Sequence, residues 1–189
     1  MLLLQESTEV KQCGCEACPF GHRRACVLVK AGGDSTMKRT EIRERMEEAH
    51  NRLLRAIDGL TETEATRKGL NPQWSVKDCL AHIAAWEAVG VGIIGDIAKG
   101  TWKPQEIDRE FINGFNARAV EERTMRSMRE VADEYNGVHA QMEQAIAALP
   151  DEVDDASPAF HLVELLTAKH PTHHAAQIEE WKKTVMNAE

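Results

Sequence analysis

The chain has 189 residues, of which 42% are hydrophobic and 29% charged, a composition that fits one compact globular domain. Its formal net charge of −8 argues against a phosphate-binding surface, because affinity for nucleic acid depends on Lys and Arg that neutralise phosphates. With four Phe, four Trp and one Tyr, aromatic platforms for stacking bases are also scarce. We therefore expect no nucleic-acid partner.

The sequence offers no clear targeting signal or membrane span. No uninterrupted apolar run approaches the roughly 20 residues that cross a bilayer. The apolar run at residues 2–4 is too short for a signal-peptide core and has no basic leader. We expect a cytoplasmic protein with no membrane partner, whose five cysteines are reduced thiols or ligands rather than disulfides.

The first 36 residues differ from the rest of the chain. They carry His22 and four of the five cysteines, and they show no helical periodicity. We predict a poorly ordered extension over residues 1–36 and one domain over residues 37–189. Alternatively, the extension could hold zinc or an iron–sulfur cluster, although its spacing matches no standard motif. Its cysteines are Cys13, Cys15, Cys18 and Cys26.

From Met37 onward the apolar pattern is helical, and no segment alternates as a strand does. A first helix follows from apolar residues at every third or fourth position over 42–57, and residues 61–72 form a connection. Ser75 and Asp78 make a capping box for a second helix, with Trp74 placed to staple its entry. Glycines at 90, 92 and 95 disfavour the C-terminal half of that helix.

After a break at residues 100–104, the sequence predicts a short amphipathic piece and two further long helices. The third long helix begins at a capping box of Ser127 and Glu130 and ends before Pro150. The last helix follows Pro158. The predicted apolar positions are Ile107, Phe111, Phe115, Ala119 and Val120 in the short piece, and Val131, Tyr135, Val138, Met142, Ala145 and Leu149 in the third long helix. This pattern predicts an all-α fold, a four-helix bundle whose core sites are built by facing helices.

Histidines in two of these helices form a candidate metal site. His170 and His174 are spaced i, i+4, so a helix places both on one face, where they can chelate one ion at about 2.0–2.1 Å. His82, within the apolar stripe of the second helix, is the candidate third ligand, although such a histidine can also be a satisfied core residue. Three neutral histidines leave a coordination position open, as in catalytic metal sites. His173 could pair with His170 instead.

Pro171 lies between the two ligand candidates of the last helix. Proline removes one helical hydrogen bond and clashes with the preceding turn. We expect either a kink at this position or a fresh helix with Pro171 at its first position. Both alternatives place irregular backbone beside the proposed ligands.

Three short segments carry a resemblance to a known family. They are Trp74-Ser-Val-Lys-Asp-Cys-Leu-Ala-His82-Ile-Ala-Ala-Trp86-Glu87, Phe115-Asn116-Ala-Arg118, and His170-Pro-Thr-His173-His174-Ala-Ala-Gln177-Ile178. The first and last resemble the second helix and the closing HxxxH motif of the DinB/YfiT-like superfamily of four-helix bundles. The middle segment is similar to the ClbS/DfsB-type branch. The resemblance covers roughly residues 37–186.

The resemblance implies a divalent metal ion (zinc, nickel or iron) on His82, His170 and His174, with His173 a neighbour. Relatives include metal-dependent transferases that use low-molecular-weight thiols and a maleylpyruvate isomerase that uses mycothiol. The resemblance therefore implies a metal-dependent transferase or hydrolase acting on a small molecule, with a thiol cofactor and a homodimer as further expectations. The alternatives are a metal-free ClbS/DfsB-like protein that binds or hydrolyses a reactive electrophile, and a non-catalytic bundle.

Other residues near the histidines have two interpretations each. Gln177, a weak catalytic candidate, either orients a ligand or is a polar residue satisfied within the bundle. Asp78 either orients the ring of the second-helix histidine or only caps that helix. Trp86 and Trp181 either wall a pocket or pack in the core. Cys79 we expect to behave as a small buried hydrophobe rather than as a nucleophile.

Overall fold

A computed structural model describes residues 36–186 of the chain. Its helices are α1 (Arg39–Ile57), α2 (Glu62–Thr66), α3 (Val76–Ala98), α4 (Arg109–Glu121), α5 (Met128–Ala147), α6 (Pro158–Glu164) and α7 (His170–Met186). A π-helical turn, Leu165–Lys169, joins α6 to α7. Two short strands, β1 (Thr36–Lys38) and β2 (Glu152–Asp154), complete the described elements. The predictions for Cys13, Cys15, Cys18, Cys26 and His22 lie outside the described residues.

Four long helices, α1, α3, α5 and α7, form the bundle. The most extensive packing is between α3 and α5 and between α1 and α7. The shorter α4 packs against α3, and α2 bridges α3 and α5. This arrangement confirms the predicted all-α fold. The expectation of no strands was wrong, because β1 and β2 pair antiparallel with Met37 opposite Val153, and three residues are too few to show an alternating pattern.

Capping boxes start three of the helices. In α3 the Ser75 hydroxyl accepts from the Asp78 backbone N–H, and the Asp78 carboxylate accepts from the Ser75 backbone N–H, as predicted. Ser127 and Glu130 begin α5 in the same way. A third capping box, of Thr61 and Glu64, starts α2 within the segment predicted to be a connection. Each of these boxes satisfies backbone donors that a helix start otherwise leaves unpaired.

The buried faces of α4 and α5 differ from the predicted ones by one residue at several positions. The buried residues of α5 are Val131, Tyr135, His139, Met142 and Ile146, in place of the predicted Val138 and Ala145. Predicted and buried positions coincide at Val131, Tyr135, Met142 and Leu149, and differ only in whether the residue between them lies three or four positions on. In α4, Ile112 is buried and Phe111 is 51% exposed.

The π-helical turn resolves the expected conflict at Pro171. Because proline has no N–H, a regular helix through this position would leave the carbonyl of Thr167 without its partner. In the turn, the backbone N–H of His170 donates to the carbonyl of Leu165, five residues earlier. The helix therefore continues through residues 158–186 without a break, and Pro171 is the second residue of α7.

Helix α3 has the composition of a helix enclosed by others. By length and hydropathy it could cross a membrane, yet 56% of its most apolar window is buried inside the bundle. The core helix of a bundle has the same properties, so this composition is weak evidence for a membrane span. It reflects the position of α3 between α4, α5 and α7.

The glycines of α3 supply a test of its packing. A Cβ added at Gly90 would lie 2.8 Å from the terminal methyl of Met142, whereas a Cβ at Gly92 meets nothing within 4 Å. We expect Gly92→Ala to raise the free energy of unfolding by about 1 kcal/mol through helix propensity. Gly90→Ala should raise the free energy of unfolding by less, because the side chain of Met142 must move to make room for the new Cβ. Urea denaturation of both variants measures the difference, and equal gains would contradict close packing at Gly90.

Candidate metal centre

The three predicted histidines meet in the interior of the bundle. His82 comes from α3, and His170 and His174 come from successive turns of α7. The Nε2 atom of His170 lies 2.8 Å from Nε2 of His82 and 3.0 Å from Nε2 of His174. All three residues are at most 1% exposed. Three imidazole nitrogens from two helices therefore converge on one buried point.

The spacing of these nitrogens fits a common ligand between them. Two nitrogens bound to one tetrahedral ion at about 2.0–2.1 Å are about 3.3 Å apart, close to the observed separations. Nδ1 of His174 lies 2.7 Å from Oε1 of Gln177, an arrangement in which Nδ1–H donates and Nε2 carries the lone pair. Among residues 36–186, no group forms a hydrogen bond with Nδ1 of His82 or of His170. A cation between the three nitrogens would bind the lone pairs that no N–H donates to.

Burial keeps these imidazoles neutral. It lowers the pKa of His82 and of His170 well below 6.5, and the neighbouring histidines lower both further. Burial also lowers the pKa of His174 to about 4, against the raising effect of Gln177. A neutral imidazole is the form that binds metals, so this group of histidines could hold a metal ion.

Two aromatic residues and an asparagine surround His82. The ring of Trp74 is 4.7 Å from the ring of His82. The indole N–H of Trp86 donates to Oδ1 of Asn116, at 2.8 Å, and the side chain of Asn116 acts on His82 to raise its pKa, against the effect of burial. Helix α4 therefore covers one side of the histidines through Asn116.

The structure distinguishes between the two roles considered for each of the other residues near the histidines. Asp78 binds Ser75 and Lys68, and the unpartnered Nδ1 of His82 excludes a hydrogen bond from Asp78 to that atom. Gln177 contacts His174 directly, which is the geometry of a residue that positions a ligand. Trp86 is 1% exposed and Trp181 is 8% exposed, so both pack in the core. Cys79 is also fully buried, within an apolar cluster.

His173 lies beside the three converging histidines without joining them. Its ring centroid is 5.4 Å from that of His174. Its Nε2 is buried and has no hydrogen-bond partner among the described residues, and the nitrogens that converge belong to the other three residues. The pairing of His170 with His173, which the sequence left open, is therefore not the one that the fold forms.

A second buried polar cluster was not predicted from the sequence. It consists of His50 from α1, Glu87 from α3, and Tyr135 and His139 from α5, each at most 8% exposed. The ring of His50 stacks on His139 at 3.6 Å and on Tyr135 at 4.7 Å between centroids. The sequence did contain a pattern that could have predicted this cluster. His50 follows Met46 by four residues and His139 follows Tyr135 by four, so a helix places both histidines on its apolar face.

Family and fold comparisons agree with this architecture. A family model described as the DinB superfamily matches residues 45–178. The match covers more than half of the chain, which therefore belongs to the DinB superfamily. No curated protein matches it. The resemblance found in the sequence is thereby confirmed.

Solved structures with the same fold include two proteins of the predicted branch. An uncharacterised protein from Escherichia coli UTI89 is 15% identical, with a TM-score of 0.65 over 78% of this chain and 94% of its own. DfsB, a sibling lethal factor precursor, is 14% identical, with a TM-score of 0.65 over 78% and 96%. The colibactin self-resistance protein ClbS is 11% identical, with a TM-score of 0.64 over 77% and 96%. The TM-scores show that these proteins share the fold of this chain, and at such low sequence identity the likeness is limited to the fold.

One of these structures corrects an expectation drawn from charge. ClbS was solved in complex with double-stranded DNA. The expectation of no nucleic-acid partner, based on the net charge of −8, was therefore wrong as an exclusion. Net charge sums over the whole surface, whereas phosphate contacts depend on the local distribution of Lys and Arg.

His50 predicts a measurable dependence of stability on pH. Burial, with His139 beside it, lowers its pKa to about 4 in the folded protein, against 6.5 for a free histidine. The unfolded chain therefore binds this proton first, and stability falls as the pH drops from 6.5 towards 4. From about pH 7.5 to about pH 5, in chelator, we expect wild type to lose about 2 kcal/mol more than His50→Asn.

Denaturant unfolding at a series of pH values measures this difference. Exposed His161 provides the control, since His161→Asn should keep the wild-type slope. A His50→Asn variant with the wild-type slope would show that His50 is protonated equally in both states.

Proposed function

We propose that the protein is a metal-dependent enzyme that acts on a small molecule, with one divalent ion (zinc, nickel or iron) held by His82, His170 and His174. The observation that carries this proposal is the convergence of three buried imidazoles, in which Nε2 of His170 lies within hydrogen-bond distance of Nε2 of both His82 and His174. The donor set fits the group, because neutral imidazoles suit zinc, nickel and iron alike. Three protein ligands leave one position for a water, thiol or substrate.

A divalent ion bound there supplies Lewis-acid chemistry, which lowers the pKa of a coordinated water or thiol. The chain itself contributes orientation and a dry environment. Gln177 holds the His174 ring through Nδ1, so that Nε2 faces the centre. Trp74 shields His82 from solvent, and Asn116, fixed by the indole of Trp86, borders the centre from α4. An oxygen atom of a substrate entering beside α4 would find the amide of Asn116 as a hydrogen-bond donor.

The chemistry of the reaction follows from the open position. We propose transfer to, or hydrolysis of, an electrophilic substrate, with a low-molecular-weight thiol as the cofactor of the transfer reaction. A reactive electrophile as substrate agrees with the fold being shared by the self-resistance protein ClbS. The metal-free alternative, a ClbS/DfsB-like protective protein, differs in requiring none of the three histidines. A cytoplasmic location and a homodimer remain part of the proposal.

Elemental analysis of the full chain, purified without a histidine tag, tests the proposed centre. We expect His82→Ala and His174→Ala each to lower the metal content by one equivalent per chain, because two remaining imidazoles bind an ion far more weakly. His161→Ala, at an exposed histidine, serves as the control and should keep the wild-type content. Unchanged metal content in both ligand variants would rule out the three-histidine centre.

The same preparations address the thiol. After cobalt substitution, a thiol that enters the open position should change the visible spectrum of wild type and leave that of His82→Ala unaffected. A wild-type spectrum that does not respond to thiols would restrict the proposal to hydrolysis.

Gln177 supplies a finer prediction. Residues that hydrogen-bond a metal-binding histidine typically contribute about 10–100-fold to metal affinity. We expect Gln177→Ala to weaken binding of the ion by this order, as measured by competition with a chelator of known affinity. Gln144→Ala, at an exposed position of α5, should leave the affinity unchanged. Equal affinity in both variants would assign Gln177 to packing alone.

A further inference from the structure

The cluster of His50, Glu87, Tyr135 and His139 concentrates several unpaired polar atoms in one part of the core. Five of its buried atoms have no hydrogen-bond partner in the part of the chain that the structure describes: both carboxylate oxygens of Glu87, the hydroxyl of Tyr135, and Nδ1 of His50 and of His139. Buried polar atoms are paired in the great majority of folded proteins, so such a concentration marks a place where a ligand, ion or water belongs.

The charge of Glu87 indicates which kind of ligand this cluster would bind. Its side chain is fully buried, and within residues 36–186 its only ion-pair partner is His139. Burial raises the pKa of Glu87, and His139 offsets this only in part. Burial raises the pKa of Tyr135, and the negative charge of Glu87 nearby raises it further. A carboxylate in this environment needs a cation or a proton.

The contact between Glu87 and His139 is only slightly longer than the spacing of two metal ligands. Oε1 of Glu87 lies 3.6 Å from Nδ1 of His139, which is too long for a hydrogen bond. Two ligand atoms on one ion are about 3.0–3.5 Å apart. Since Nδ1 of His139 has no hydrogen-bond partner within the described range, it can present a lone pair on the side that faces the carboxylate.

We propose that Glu87 and His139 form a second cation site in the bundle, separate from the three-histidine centre, that takes a hard divalent ion such as Mn²⁺ or Fe²⁺. Two carboxylate oxygens and one imidazole nitrogen favour these ions over softer ones. The Tyr135 hydroxyl and water complete the coordination. His50 acts as a positioning residue, because its ring stacks against His139 and fixes the plane of that imidazole.

Titration of the full, chelator-treated chain with Mn²⁺, followed by the electron paramagnetic resonance signal of the free ion, tests this site. We expect Glu87→Gln to bind one Mn²⁺ fewer per chain than wild type. Glu121→Gln, at an exposed glutamate of α4, should bind as many as wild type. His174→Ala should retain the equivalent that Glu87→Gln loses, which keeps this result independent of the three-histidine centre.

Binding of the same number of Mn²⁺ ions by wild type and Glu87→Gln would overturn the proposal, and would leave Glu87 protonated or bonded to water. Circular dichroism verifies that each variant folds, and His139→Gln must lose the same equivalent as Glu87→Gln. Wild type alone provides a further measurement, because electron spin echo modulation counts the imidazole nitrogens on bound Mn²⁺. One nitrogen supports the Glu87 and His139 site, and a count of three alone would overturn it.

Discussion

The burial of polar imidazoles between helices α3 and α7 is the constraint on which much of this structure depends. Nε2 of His170 lies about one hydrogen-bond length from Nε2 of both His82 and His174, and all three residues are buried. Holding them there requires α7 to approach α3 closely and to keep two histidines on one face. The capping box of Ser75 and Asp78 fixes where α3 begins, and hence where His82 lies along the bundle.

The sequence predicted the elements that depend on local chemistry. Capping boxes at Ser75 and Ser127 involve residues three apart, and the breaks at Gly100 and Pro150 require only one residue type. The i, i+4 spacing of His170 and His174 likewise follows from helix geometry. His82 was harder to identify, because its partner residues are 88 positions away, and a family resemblance connected the two segments.

What the sequence did not predict depends on contacts between helices. The strands β1 and β2 form only because residues 36–38 and 152–154 meet at one end of the bundle. Glu87 and His139 come from different helices, and neither spacing nor motif pairs them. The buried face of α5 was misjudged by one residue at two positions, because residues three and four apart both lie close to the same face of a helix. Each of these features requires the relative rotation of two helices, which apolar periodicity constrains poorly.

The π-helical turn at Leu165–Lys169 has a consequence for the geometry of the bundle. Each residue of an α-helix advances the chain by about 100° around the axis, and a π turn accommodates one extra residue without lengthening the helix in proportion. The turn therefore takes up one extra residue while the helix after it keeps nearly the angular phase of the helix before it. Removing one residue from this segment would restore regular α-helix with His170 and His174 still turned towards α3. A change of chain length that a regular helix would convert into a rotation of about 100° is absorbed at this one turn.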